Sequence, residues 1–121
     1  LCPQCHALLL RAEGEAFLRM TETQLQRQVR EIAKKLGHWQ VYHTYCSKRS
    51  EPGFPDLVLV RRETETHSGR LIFSELKREG ESPTIPQQTW IEALGTSVAG
   101  VEVYVWRPLD LENIVEILLR K

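Results

Sequence analysis

The sequence predicts a single α/β domain with a central mixed four-stranded sheet flanked by helices, in the order α-β-β-β-α-β-α. Three observations support this fold class. Residues 21 to 36 have the apolar spacing of an amphipathic helix, and four short runs rich in β-branched and aromatic residues are typical of strands. A helical segment connects the third and fourth of these runs, which predicts a crossover between parallel strands. The 121 residues suffice for one hydrophobic core.

The first helix begins at a capping box, in which Thr21 is the N-cap and Gln24 the N3 residue. Gly37 suits the C-terminal cap. The apolar stripe between them consists of Leu25, Val29, Ile32, Ala33 and Leu36.

The strands are predicted at residues 39–45, 56–61, 70–77 and 101–106. Polar segments at 46–53 and 63–69 separate the first three. A second helix is predicted from about Ile85 to Ala99, and Asp110 is the predicted N-cap of the last helix.

Composition places the chain among globular proteins without a membrane span, since no apolar run approaches the ~18 residues that a span needs. No leader sequence is recognisable, and we expect a cytoplasmic protein. Sixteen basic and sixteen acidic side chains cancel, which argues weakly against non-specific nucleic-acid binding. Basic pairs nevertheless flank the site proposed below, at 48–49, 61–62 and 77–78.

Residues 1–19 differ from the remainder, and we interpret them as an N-terminal extension, a cloning remnant or part of a longer protein. Their Cys2-Pro3-Gln4-Cys5-His6 segment is half of a zinc site, which His6 and Cys46 or a symmetry-related chain could complete. The same pattern attaches haem c, which fits poorly with a cytoplasmic protein. An odd cysteine count, with Cys2, Cys5 and Cys46, suits a reducing compartment.

The main functional signal is Gly53-Phe54-Pro55-Asp56, followed by Glu75-Leu76-Lys77. Each group adjoins an apolar strand, and strand alternation places Glu75 and Lys77 on one face while Leu76 points into the core. If the second and third strands form an antiparallel hairpin, Asp56 lies beside both. Asp56 and Glu75 would offer hard oxygen ligands to Mg²⁺ or Mn²⁺, and Lys77 would orient a water or stabilise the transition state. This set suits phosphodiester cleavage.

Two further polar residues are candidates for the site. Glu22 continues the apolar stripe of the first helix and is expected to face inward, toward a metal or Lys77; alternatively, it favours the helix dipole. Gln87 lies on the apolar face of the second helix, where it either hydrogen-bonds a metal-bound water or Lys77, or caps the helix.

The candidate nucleic-acid contacts lie at the end of the first strand and in the following loop. His43 could touch a phosphate or sugar, or it could be an ordinary strand histidine. Ser47, Lys48, Arg49 and Ser50 could contact phosphates, or the loop could simply be solvated.

Over residues 20–119 the chain resembles a stand-alone VRR-NUC domain of the phage or bacterial type, a branch of the PD-(D/E)xK nucleases. The residues that carry the resemblance are Glu22, Leu25-Gln26, Tyr42-His43-Thr44, Gly53 to Leu57, Glu75-Leu76-Lys77, Gln87, Trp90 and Val103 to Pro108. One departure is Thr84-Ile85-Pro86-Gln87, where the family often has Ser-Pro-x-Gln. Residues 20–121 are therefore the expected nuclease domain.

The resemblance implies a restriction-endonuclease-like core and a metal-dependent endonuclease. It implies that Asp56, Glu75 and the Leu76 carbonyl bind the metal, that Lys77 is the catalytic lysine, and that Glu22 and Gln87 are accessory. Stand-alone members resemble Holliday-junction resolvases and pair as homodimers, so the expected substrate is branched DNA.

Three functional hypotheses remain at this point. The first is a Mg²⁺- or Mn²⁺-dependent, structure-selective DNA endonuclease that acts as a homodimer. The second is a catalytically silent DNA- or partner-binding module on the same fold, against which the intact acids and lysine argue. The third is a zinc-assisted interaction protein that depends on the Cys-x-x-Cys segment.

Overall fold

The computed structural model describes residues 16, 18–36, 38–45 and 51–121. Their helices and strands follow the predicted order. In chain order they are α1 (Glu22–Lys35), β1 (Trp39–His43), β2 (Leu57–Arg61), β3 (Arg70–Leu76), α2 (Ile85–Ser97), β4 (Val101–Trp106), a 3₁₀ turn (Pro108–Asp110) and α3 (Leu111–Leu119).

The four strands form one mixed sheet in the spatial order β1-β2-β3-β4. The β1–β2 and β2–β3 pairs are antiparallel, and β3–β4 is parallel because α2 carries the chain back across the sheet. The register pairs Leu57 with Ser74. This register places the residue before β2 beside the carboxyl end of β3, as the hairpin prediction requires.

One face of the sheet carries the hydrophobic core, beneath α1 and α3. The predicted apolar stripe of α1 supplies Leu25, Val29 and Ala33, which are all fully buried. The remaining buried members are Trp39, Leu57, Leu59, Ile72, Leu76, Trp106, Leu111, Ile114, Ile117 and Leu118.

Among the described residues, α2 packs on the other face of the sheet, and none of its side chains is fully buried. Phe54 lies between Phe73 and Trp90, with ring centroids 6.1 Å and 5.1 Å apart and edge-to-face geometry. The aromatic side chain of the Gly-Phe-Pro-Asp motif therefore attaches the loop before β2 to both β3 and α2.

Two arginines close the end of the sheet that is remote from this loop. Arg61 and Arg70 each place a guanidinium 5.2 Å from the Trp39 ring centroid. Both donate hydrogen bonds to carbonyl groups at the end of α3, and Arg70 also pairs with Glu102 at 2.6 Å. These contacts bind the last turn of α3 to the sheet.

Several predicted boundaries were wrong by one to two residues. The first strand ends at His43 instead of residue 45, although the Thr44 N–H still donates to the Asp56 carbonyl at 2.8 Å and continues the β1–β2 register by one residue. The second helix ends at Ser97 instead of Ala99. Asp110 is the N-cap residue of α3, as predicted, but its side chain makes no capping hydrogen bond; its carboxylate accepts from the Arg107 N–H at 2.8 Å.

Within the described ranges, no helix has the length and apolar character needed to cross a membrane. The candidate residues Cys2, Cys5 and His6, the loop from Cys46 to Ser50, and the Gly37 cap lie outside the described residues.

Candidate active site

The β2–β3 hairpin brings the two predicted acids together. The Leu76 N–H donates a 2.8 Å hydrogen bond to Oδ2 of Asp56. Asp56 directly precedes β2, and Glu75 is the next-to-last residue of β3. The same backbone contact therefore fixes the Asp56 carboxylate beside the Glu75-Leu76-Lys77 segment.

Glu75 is a buried carboxylate with one satisfied oxygen. Its side chain is only 2% exposed, and its Oε1 accepts a 2.9 Å hydrogen bond from Nε2 of Gln87. Its Oε2 is buried and makes no hydrogen bond within the part of the chain that the structure describes. Burial, followed by the neighbouring Asp56 carboxylate, raises the pKa of Glu75 to about 9. A buried carboxylate with an unsatisfied oxygen needs a proton or a cation.

Lys77 follows directly after the β3 end that carries Glu75, but it forms its ion pair with Glu22. Its side chain is buried, and its Nζ is 3.9 Å from Oε1 of Glu22 at the first turn of α1. The Lys77 backbone N–H donates to the Trp106 carbonyl at 3.0 Å, which extends the β3–β4 pairing by one residue.

The inward orientation expected for Glu22 is only partly correct, since its side chain is 47% exposed. Burial raises the pKa of Glu22, the Lys77 charge lowers it, and the Asp56 charge raises it again. The net direction is upward. Glu22, at the N-terminal end of α1, therefore interacts electrostatically with both Lys77 and Asp56.

Gln87 caps α2, which was one of its two predicted roles, and it also bonds within the site, where its partner is Glu75 instead of Lys77. Its Oε1 accepts from the Thr84 N–H at 2.8 Å, and the Thr84 hydroxyl accepts from the Gln87 N–H, so the two residues form a capping box. The amide nitrogen of the same side chain donates to Glu75. The start of α2 thus fixes a donor directly at the buried carboxylate.

Gly53 allows the loop and α2 to approach each other. Its φ is +86°, and a Cβ at this position would lie 2.5 Å from the carbonyl carbon of Pro86 and 2.7 Å from the nitrogen of Gln87. Only glycine fits this contact without displacing the first turn of α2. The glycine of the motif therefore determines how close Gln87 comes to Glu75.

His43 lies at the same end of the sheet, one ladder position from Asp56. It pairs with Leu57 and packs its ring against Tyr45, with centroids 4.2 Å apart. No hydrogen bond between its side chain and the acids is found among the described residues. The other predicted nucleic-acid contacts, Ser47, Lys48 and Arg49, lie outside those residues.

The donors suit a hard divalent cation that retains water. No three His, Cys, Asp or Glu side chains in the described ranges form a metal cluster by themselves. Two carboxylates are available, Asp56 and Glu75, and the unsatisfied Oε2 of Glu75 is one of their oxygens. Mg²⁺ is characteristically held by one or two carboxylates together with water, whereas Zn²⁺ favours nitrogen and sulfur ligands. The residues present fit Mg²⁺ or Mn²⁺.

Two supporting contacts were not predicted from sequence, although a sequence signal is present for the first of them. Thr84 to Gln87 repeats the Thr-x-x-Gln spacing of the first capping box. Thr44 donates its hydroxyl to the Pro55 carbonyl at 2.8 Å and holds the loop before Asp56 against β1. No local pattern predicts the second contact, because it joins residues 11 positions apart.

Comparison with known proteins identifies first a similar solved structure and then the protein family. A search of solved structures found a chain described as a VRR_NUC domain, with a TM-score of 0.60 and 25% identity, covering 78% of this chain and 94% of that one. A family model described as the VRR-NUC domain matches residues 6–108. No curated protein matches the chain significantly. The chain belongs to the VRR-NUC domain family, a nuclease family, and its α/β fold is the restriction-endonuclease-like one.

Proposed function

We propose that this protein is a Mg²⁺- or Mn²⁺-dependent DNA endonuclease that hydrolyses phosphodiester bonds in branched DNA, four-way junctions included, as a homodimer. The observation that carries the proposal is the buried, unsatisfied Oε2 of Glu75 beside Asp56 and Lys77. Membership of a nuclease family supports the reaction class. Paired cleavage of two strands requires two sites related by a two-fold axis, which is the reason for proposing a homodimer.

In this proposal Asp56, Glu75 and the Leu76 carbonyl hold the cation. Such a cation supplies an activated water and positive charge for the phosphate. The Leu76 N–H and the Gln87 amide hold the two carboxylates in position before any ligand arrives. Both donors are uncharged, so neither forms a salt bridge with the acids that would compete with a cation.

Lys77 acts on the phosphodiester in this proposal. Hydrolysis forms one P–O bond from the water oxygen and breaks one P–O ester bond, and a proton passes from the water to the leaving oxygen. Negative charge accumulates on the phosphate oxygens in the transition state. A buried ammonium is a strong electrostatic stabiliser of that charge, because the surrounding protein screens it less than water would. Glu22 positions Lys77 through the 3.9 Å ion pair.

The test is cleavage of labelled four-way junction, flap, single-stranded and duplex DNA with Mg²⁺, Mn²⁺ or EDTA. Lys77→Ala removes the buried ammonium, and Lys121→Ala is the control because it removes an exposed lysine remote from the site. We expect metal-dependent, symmetric junction cleavage that Lys77→Ala abolishes and Lys121→Ala retains. Cleavage that persists in EDTA or in Lys77→Ala would contradict the proposed chemistry.

The second hypothesis, a silent binding module, has a distinct outcome. Tight junction binding without cleavage under either metal would support it. Preferential cleavage of flaps or plain duplex would retain the proposed chemistry and change the substrate.

A further inference from the structure

A groove outside the candidate active site runs between α1 and the edge strand β1. Its volume is about 540 Å³, and it is lined by Arg27, Arg30, Glu31, Lys34, Trp39 and Val41. None of the candidate catalytic residues is among them. Three cations and one carboxylate give the groove a net positive charge in a chain whose overall formal charge is zero.

The cations of the groove are not neutralised by neighbours. Arg27, Arg30 and Lys34 are exposed, and within the described residues none of them forms an ion pair or a side-chain hydrogen bond. Glu31 lies on the same helix but pairs with none of them. Positive charge that is left unpaired along one side of a helix is available to a polyanion.

Both walls of the groove begin at the candidate active site. The first turn of α1 carries Glu22, which contacts Lys77. The last residue of β1 is His43, whose partner Leu57 follows Asp56 directly. Since α1 runs away from the site and β1 returns to it, the cations lie at increasing distance from the acids.

The spacing of these cations suits a phosphate backbone. At a rise of about 1.5 Å per residue, Arg27, Arg30 and Lys34 lie roughly 7, 12 and 18 Å from Glu22 along the axis of α1. One DNA strand advances about 3.4 Å per nucleotide. Lys34 is therefore roughly five nucleotides from the site, and the row spans a short DNA arm.

We propose that this groove, formed by Arg27, Arg30 and Lys34 of α1 beside β1, binds the phosphate backbone of the DNA arm that leaves the cleaved bond. The inference rests on the proposed function, since it concerns the substrate of the same site. The contacts would be sequence-independent, because the long cationic side chains that line the groove reach phosphates. They would set the register of the arm relative to Asp56 and Glu75.

The first experiment measures the salt dependence of junction binding in EDTA, where cleavage does not contribute. The test variant is Arg30→Gln with Lys34→Gln, because glutamine keeps a similar helix propensity. The matched control is Arg120→Gln with Lys121→Gln, which removes the same charge from exposed positions after α3. We expect the slope of log K against log [salt] to become shallower by about 0.9 for each lost phosphate contact in the test variant. The slope of the control should not change.

The second experiment shortens the junction arm on either side of the cleaved bond. An arm of fewer than about five nucleotides cannot reach Lys34, given a rise of about 3.4 Å per nucleotide. We expect Lys34→Gln to weaken binding of long-armed junctions and to have no effect on short-armed ones. An effect that is independent of arm length would indicate a general loss of charge and would overturn the inference.

Other outcomes separate this inference from the proposed function. Equal salt slopes for both double variants, or absence of DNA binding by the unaltered chain, would overturn the inference even if cleavage is observed. A shallower slope in the groove variant, in a chain that cuts nothing, would support the groove and refute the nuclease. Loss of self-association with an unchanged slope would identify the groove as a contact between copies and overturn DNA binding there.

Discussion

Replacing Gly53 by alanine tests how the candidate site is held together. Gly53 and Gly100 both have positive φ, +86° and +93°. They differ in what an added Cβ would meet: at Gly53 it would lie 2.5 Å from the Pro86 carbonyl carbon, and at Gly100 nothing lies within 4 Å. Gly100→Ala is therefore a matched control that has the same backbone strain without the collision.

The structure gives the expected magnitude of each effect. An alanine in the left-handed region costs roughly 1–2 kcal/mol, and this cost applies to both variants. Relief of the collision at Gly53 requires the first turn of α2 to move by about 1 Å, since carbon contacts lie near 3.5 Å. Such overpacking adds about 1–3 kcal/mol. The same movement separates Gln87 from Glu75, and a displacement of about 1 Å near reacting groups can reduce the rate about 100-fold.

The assays are urea unfolding and metal-dependent DNA cleavage. We expect Gly53→Ala to lower the free energy of unfolding by about 2–5 kcal/mol and cleavage by about two orders of magnitude. Gly100→Ala should lower the free energy of unfolding by about 1–2 kcal/mol and leave cleavage intact. Equal destabilisation by the two variants, with full cleavage by Gly53→Ala, would refute the close approach as the feature that positions the site.

Three other predictions concern charges and donors. Burial alone would raise the pKa of Glu102, but hydrogen bonds from Arg70 and Tyr104 hold that pKa below its ordinary 4.5. Glu102→Gln should therefore lower the free energy of unfolding by about 1–3 kcal/mol at pH 7. The difference in urea midpoint between the unaltered protein and Glu102→Gln should shrink as the pH falls from 4.5 through the depressed pKa of Glu102. A difference that stays constant with pH would contradict the depressed pKa. Gln87→Glu retains an acceptor for the Thr84 N–H but faces Glu75 with a second carboxylate, so the melting temperature in EDTA should fall; an unchanged value would argue against the contact. Glu75→Gln should raise the melting temperature in EDTA and abolish its increase with Mg²⁺, and a retained increase would place the metal elsewhere.

Most of the fold could be predicted from sequence because its signals are local. The capping box at Thr21, the apolar stripe of α1 and the alternation of β3 each involve only a few neighbouring residues. The parallel β3–β4 pair followed from the connecting helix and was confirmed. The errors are small and lie at the ends of elements: β1 ends at His43 although the Thr44 N–H continues its register, and Asp110 is the N-cap residue of α3 but bonds the Arg107 N–H with its carboxylate.

The site was predictable to the extent that the hairpin register determines it. The spacing between Asp56 and Glu75 sufficed to place them together once β2 and β3 were antiparallel. The burial of Glu75 and the contact of Gly53 with Pro86 were not predictable, because both depend on how α2 packs across the sheet. The groove beside β1 was not predicted, because a net charge of zero for the whole chain gives no sign that three unpaired cations lie on one side of a helix.

The pattern of partners within the site favours a bound cation over an internal salt bridge. Asp56 is held by a backbone N–H and Glu75 by a side-chain amide, both of which are uncharged donors. The buried ammonium of Lys77 forms its ion pair with the half-exposed Glu22 and not with the two acids. Had Lys77 paired with Glu75, its ammonium would occupy Oε2, the carboxylate oxygen that has no hydrogen-bond partner among the described residues. In the proposed reaction, Asp56 and Glu75 would then hold the cation while the Lys77 ammonium acts at the phosphate.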